Sequence, residues 1–141
     1  VISAVFSDAS IGVADVEAQK SGAKKAFLKQ SESGTEAFIK PKGWNEHLNQ
    51  KTVLLALAAA GKFNLNNAIK YLSMPIMVMT GDHDPNLDSS KEIVKLLPNA
   101  ELVILEDVGH GSVLQRPDLT SKKFIEFHDY LKTKNGKVDG S

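Results

Sequence analysis

The stretch PIMVMTGDHDPN, residues 75–86, decides the fold. Its first half is an apolar run interrupted only by Thr80 and closed by Gly81. A strand with one wet face alternates apolar and polar residues. An unbroken run instead marks a strand buried on both faces, as in a parallel sheet. The second half places Asp82, His83 and Asp84 directly after that strand. In open parallel sheets, ligands and catalytic groups gather at this carboxyl rim.

Working outward, ELVILE at 101–106 repeats the arrangement, and the loop DVGHGS after it carries Asp107 and His110. VISAVF at 1–6 is a third β-branched, apolar run, followed by Asp8. Between the last two strands, Ser89 and Glu92 have capping-box spacing, which predicts a helix over about 89–97, stopped by Pro98. Pro117 opens a final helix, with Phe124, Phe127, His128 and Leu131 on one face.

The intervening segment is less regular. Residues 13–30 have charges and alanines in helical proportion, and SESGTE at 31–36 is a polar break. Pro41, Gly43 and Trp44 suggest turns and short helices over 37–50. The apolar run at 51–60 predicts a helix ended by Gly61, and NLNNAIKYLS at 64–73 another short one. The order is strand, helical insert, strand, helix, strand, helix. That order predicts the α/β class, with parallel strands near 1–7, 75–81 and 101–106. The expected core is 1–11 plus 73–135, with a helical insert at 12–72 and a polar tail at 136–141.

Bulk properties narrow the function. Lysine plus arginine equals aspartate plus glutamate, 17 against 17, so no electrostatic pull toward nucleic acid exists. The longest apolar stretch, 53–60, is too short to span a bilayer. Without cysteine the chain has no disulfide, thiolate metal site or cysteine nucleophile. No spacing suggests a cofactor. The chain opens in mid-strand without an initiator Met, which reads as a piece of something longer.

What remains is the chemistry of the rim. A carboxylate and an imidazole on adjacent strand ends can pair. The carboxylate then sets the ring's tautomer and stabilises the imidazolium as it forms. That is the base half of a nucleophilic hydrolase.

The residues around this pair resemble the α/β-hydrolase family. IKYLSMPIMVMTGDHDPN is similar to its seventh strand, which runs into G-x-x-D, matched here by Gly81 and Asp84. AELVILEDVGHGSVLQRPDLTSKKFIEFHDYL is similar to its eighth strand, Gly-His loop and last helix, with Gly109 and His110 at the histidine motif. VISAVFSDAS more loosely resembles the sixth strand. The resemblance covers about 70–131, and 13–68 falls where the family inserts a variable cap.

It implies that Asp84 is the acid and His110 the base of a Ser-His-Asp triad acting on an ester or other acyl bond of a small molecule. Gly81 would give the tight strand exit, and Gly109 the sharp turn into the histidine. The departure is the nucleophile. No G-x-S-x-G elbow occurs, and in GHGSV the residue two before Ser112 is His110. The nucleophile would have to come from upstream of Val1, as a serine, or as an aspartate if the chemistry is haloalkane or epoxide hydrolysis. The contrasting expectation is an inactive α/β-hydrolase-like binding or structural module.

Structural roles stand beside the catalytic ones. Asp84 could cap the turn before the next helix, and Asp82 fits a turn former. His83 fits a loop residue, and His47 and His128 ordinary surface or packing positions. Asp8 fits a structural strand end, although some family members carry their acid there. Trp44 and 53–60 fit the core of a cap that also lines the acyl pocket. His83, Asp84 and His110 offer metal-ligand chemistry without metal-site spacing. The strand at 1–7 would be an open edge, so it is expected to be covered by an N-terminal half of the protein or by a second copy.

Overall fold

A computed structural model describes residues 1–12, 28, 31–32, 34, 38–43, 49–60, 62 and 64–135. The described elements are β1 (Ala4–Ser7), α1 (Gln50–Ala60), a 3-10 turn (Ile69–Tyr71), β2 (Ile76–Gly81), α2 (Leu87–Leu96), β3 (Ala100–Leu105), α3 (Ser112–Gln115) and α4 (Pro117–Asn135). The three strands form one parallel sheet in the order β1-β2-β3.

β2 is the centre, and all six of its residues are buried. Successive side chains alternate across the sheet. Ile76 and Val78 join Ile93 and Leu97 of the α2 segment, with Ile11 and Ile69, on one face. Met79 joins Leu105 and Val108 on the other, packed by Val5, Val103 and Leu119 of α4. Helices therefore cover both faces, as the apolar run of β2 demanded. The flanking strands are less enclosed. β1 is half-buried throughout, and Glu101 and Ile104 of β3 are exposed.

Several expectations are corrected. The first strand begins at Ala4, and Val1 and Ile2 are exposed. α2 starts at Leu87, so Ser89 lies inside it and caps nothing. Its hydroxyl instead donates to Ser10 Oγ (3.2 Å) and accepts from the Ile11 N–H (3.4 Å), tying α2 to the loop after β1. The helix expected at 64–73 shrinks to the 3-10 turn.

α1 forms as expected, and Asn49 caps it by accepting from the Thr52 N–H and hydroxyl at 2.8 and 2.9 Å. It is not a core helix. Val53, Leu54 and Leu55 are exposed, and so is every other α1 side chain that is described. On α4, Phe127 is buried but Phe124 is about half exposed. His128 is a packing residue. Its Nδ1–H donates to Phe124 O (2.8 Å), its Nε2 accepts from Ser3 Oγ (3.1 Å), and its ring packs between Phe124 and Phe127. Trp44, His47, Gly61, most of the expected helix at 13–30 and the tail at 136–141 lie outside the described residues. Among the described residues, no helix is long and apolar enough to cross a membrane.

Candidate active site

The parallel register fixes where the rim residues emerge. Ser7 pairs with Met79 and Gly81 with Leu105, so all three strands run out on one edge. The Asp8 N–H still donates to Met79 O (2.9 Å) and the Asp82 N–H to Leu105 O (3.0 Å). Beyond these bonds the chains diverge into the loops that hold Asp8, Asp82 to Asp84, and Asp107 to His110.

Gly81 is required by a close approach rather than by its own conformation. A Cβ there would overlap the Val108 carbonyl and lie 3.0 Å from Gly109 O. The missing side chain lets the loop after β3 press onto the end of β2. The His83 N–H then donates to Val108 O at 3.0 Å, and the Val108 N–H to Asp82 Oδ1 at 3.3 Å. The sharp turn beside the histidine belongs to Gly111, at φ +88°, rather than to Gly109. The Gly109 N–H donates to Gln115 Oε1 at 2.7 Å.

This packing brings Asp84 and His110 together. His110 Nδ1 is 3.3 Å from both Asp84 carboxylate oxygens. A carboxylate only accepts, so Nδ1 carries the proton and Nε2 keeps its lone pair. The Asp84 side chain is fully buried, while the His110 side chain is 50 % exposed. The carboxylate is thus sealed in, while the imidazole is half open to solvent.

Asp84 has further donors. Its Oδ1 accepts the Asn86 N–H at 2.7 Å and its Oδ2 the Thr80 hydroxyl at 3.3 Å. The Asn86 bond is a two-residue carboxylate turn that leads into α2, so Asp84 also fills the structural role foreseen for it. Burial pushes the Asp84 carboxyl up, but the His110 and Asn86 hydrogen bonds and the His110 charge outweigh it, leaving it below its usual range. The hydrogen bond that His110 donates to Asp84 raises the histidine above its ordinary value, against the opposing effect of burial.

The other rim groups arrange differently. His83 Nε2 sits 3.7 Å from Asp82 Oδ1 and 3.6 Å from Asp107 Oδ1. These three are a cluster at the surface, with both aspartates exposed. His83 therefore does not join Asp84 and His110, as the metal set considered from sequence would need. Ser112 is fully buried, and its hydroxyl donates to Asp8 Oδ2 (2.9 Å), so it is committed to structure. The insert also reaches the rim, which no motif signalled. The Ile39 N–H donates to Leu114 O at 2.6 Å, and the Phe38 ring packs on Gly111.

An α/β-hydrolase enzyme designated MGS-MChE2, from a sediment metagenome of the lagoon of Mar Chica, superposes at TM-score 0.56, with 17 % identity over 96 % of this chain and 52 % of its own. The chain has the α/β-hydrolase fold. It spans about half of such structures. The enol-lactonase from Burkholderia xenovorans LB400 agrees at TM-score 0.61, with 18 % identity over 92 % of this chain and 56 % of that one. Among curated relatives, human monoacylglycerol lipase ABHD6 is 28 % identical over 80 residues, which are 55 % of this chain and 24 % of that protein. No protein-family model matches the chain. The resemblance read from residues 70–131 holds at the level of fold.

Proposed function

We propose that this α/β-hydrolase chain supplies the acid and base of a Ser-His-Asp triad that cleaves an ester or related acyl bond in a small molecule. One observation carries the reading. The buried Asp84 carboxylate faces His110 Nδ1, which leaves Nε2 free to take a proton from a nucleophile. Asp84 orients the ring and stabilises the imidazolium. The serine and the amides of the oxyanion hole would come from outside these 141 residues, in strands that continue the sheet beyond β1, the edge strand among the described residues. A second copy is the other occupant that edge could take. Residues 12–72 would form a cap, with Phe38 beside the histidine loop as its nearest described approach to the acyl site.

The test is His110→Ala in the intact protein, assayed on short acyl esters. Turnover should fall by about 10³-fold or more, and undiminished turnover overturns the assignment. The competing reading is an inactive module. It is favoured by the lack of an elbow motif and by the burial of Ser112. Labelling of the intact protein by a fluorophosphonate separates the two, because only an activated serine reacts.

A further inference from the structure

Asp8 stands after β1, on the far side of Asp84 from His110 in strand order. It is held in the left-handed region at φ +52°, an uncommon conformation for a residue with a side chain. The backbone around it is pinned, with its N–H bonded to Met79 O and its carbonyl accepting from Asn86 Nδ2 at 3.0 Å. Asn86 thus ties both arms of the site, since its own N–H bonds to Asp84.

The Asp8 carboxyl is divided in its duties. Oδ2 accepts three bonds, from the Ser112 N–H (2.8 Å), the Ser112 hydroxyl (2.9 Å) and the Ser7 hydroxyl (3.2 Å). Ser7 and Ser112 are also in contact with each other, Oγ to Oγ at 3.1 Å. Ser112 is two residues after His110, so these bonds anchor the histidine loop to the end of β1. Oδ1 is buried and meets no donor. A buried carboxylate oxygen without a donor is costly. The Asp8 carboxyl bears that cost while Oδ2 holds the histidine loop.

We propose that Asp8 is a positioning residue of the site: by accepting from the Ser112 N–H and hydroxyl it clamps the loop that carries His110 to the end of β1. Among the described residues, the titratable groups facing Asp8 are Asp84 at the end of β2 and His110 in the loop after β3; Ser7, Ser112 and Asn86 are neutral. Burial raises the Asp8 carboxyl above its usual range against the Ser112 bonds, with the charge of Asp84 adding to the rise.

This role rests on the triad reading for its catalytic consequence, but not for its structural test. Asp8→Asn keeps a side-chain oxygen that can accept from Ser112, and Asp8→Ala removes it. In the intact protein, His110 is titrated by imidazole NMR, and kcat is measured against pH. Asp8→Asn should leave the His110 midpoint and the acid limb of kcat in place. Asp8→Ala should move both downward and lower kcat by about 10²-fold, through misplacement of the ring. A downward shift in Asp8→Asn matching that in Asp8→Ala would mean that the bonds to Ser112 are not what holds the loop, and wild-type behaviour in Asp8→Ala would mean that Asp8 positions nothing. Either result overturns the proposal. If His110→Ala remains active, the hydrolase reading fails alone, because the NMR titrations still decide the role of Asp8.

Discussion

Two apolar runs of similar character meet opposite fates in this chain. IMVMTG at 76–81 becomes β2, buried in full, whereas VLLALAAA at 53–60 becomes most of α1, whose described side chains are all exposed. Hydrophobic content alone does not decide burial. β2 has a strand on each side and side chains from α2 and α4 on its two faces, while α1 has a good N-cap and no apolar cluster among the described residues that includes it. The site follows the buried run. The carboxylate that meets His110 follows β2, the strand with a neighbour on each side.

That contrast is breakable by mutation, starting where the loss should be largest. Asp84→Asn in the intact protein should cut kcat by about 10⁴-fold by favouring the wrong histidine tautomer. Acyl-ester assays would check this, and a variant within tenfold of wild type would detach Asp84 from the chemistry. In the wild type the acid limb of kcat should lie above the ordinary histidine value, because His110 must be neutral to accept a proton and its midpoint is raised. The same pair links stability to pH in two windows. The raised His110 stabilises below its unfolded value of about 6.5, and that contribution fades as pH rises through the folded value. The lowered Asp84 stabilises above its unfolded value of about 3.9, and that contribution fades as pH falls through the folded one.

Next in size is Gly81→Ala. The added methyl overlaps the Val108 carbonyl, which is backbone and cannot turn aside. Thermal melts should show a loss of about 3 kcal/mol, with His110 displaced from Asp84. The core itself gives the direct contrast. Ile93→Ala, at a fully buried position, should cost about 2–5 kcal/mol. Leu55→Ala on α1 should stay within about 0.5 kcal/mol. Urea titrations of both variants test the pair, and equal losses would show that α1 is covered in the intact protein. The smallest effect lies at the start of α4. Arg116 holds the Asp118 carboxyl at about 2 through a two-bond pair, yet the group is at the surface. Carboxyl NMR should find that low midpoint, and Asp118→Asn should leave the melting temperature unchanged.

Much of the core was legible from residue pattern. The run before Gly81 reads as a two-sided strand because nothing polar interrupts it except Thr80, and Thr80 proves to be a donor to Asp84. The spacing from Gly81 to Asp84 and the Gly109–His110 pair located the two groups that the structure brings together. Other features escaped for physical reasons. Ser89 has cap spacing, but Asp84 and Asn86 already turn the chain into α2 two residues earlier. Gly109 and Gly111 are indistinguishable by type, and only backbone geometry shows which one is left-handed. The link from Asp8 to Ser112 joins residues 104 apart, and no local pattern encodes it. The exposure of α1 depends on what surrounds it, and amphipathicity could not reveal it in a run that is apolar all round.

The different reach of these contacts sets an order of assembly. Asp84 and His110 are 26 residues apart, joined through α2 and β3, so the loop that must close before they meet is short. The bonds from Asp8 to Ser112 close a loop of 104 residues that contains the whole insert. Loop closure of that length is entropically slower. During refolding the acid and base should find each other first, and the fastening of the histidine loop to β1 should be among the last native contacts to form. The rim would then pass through a stage in which its two reactive groups are paired but not yet held still.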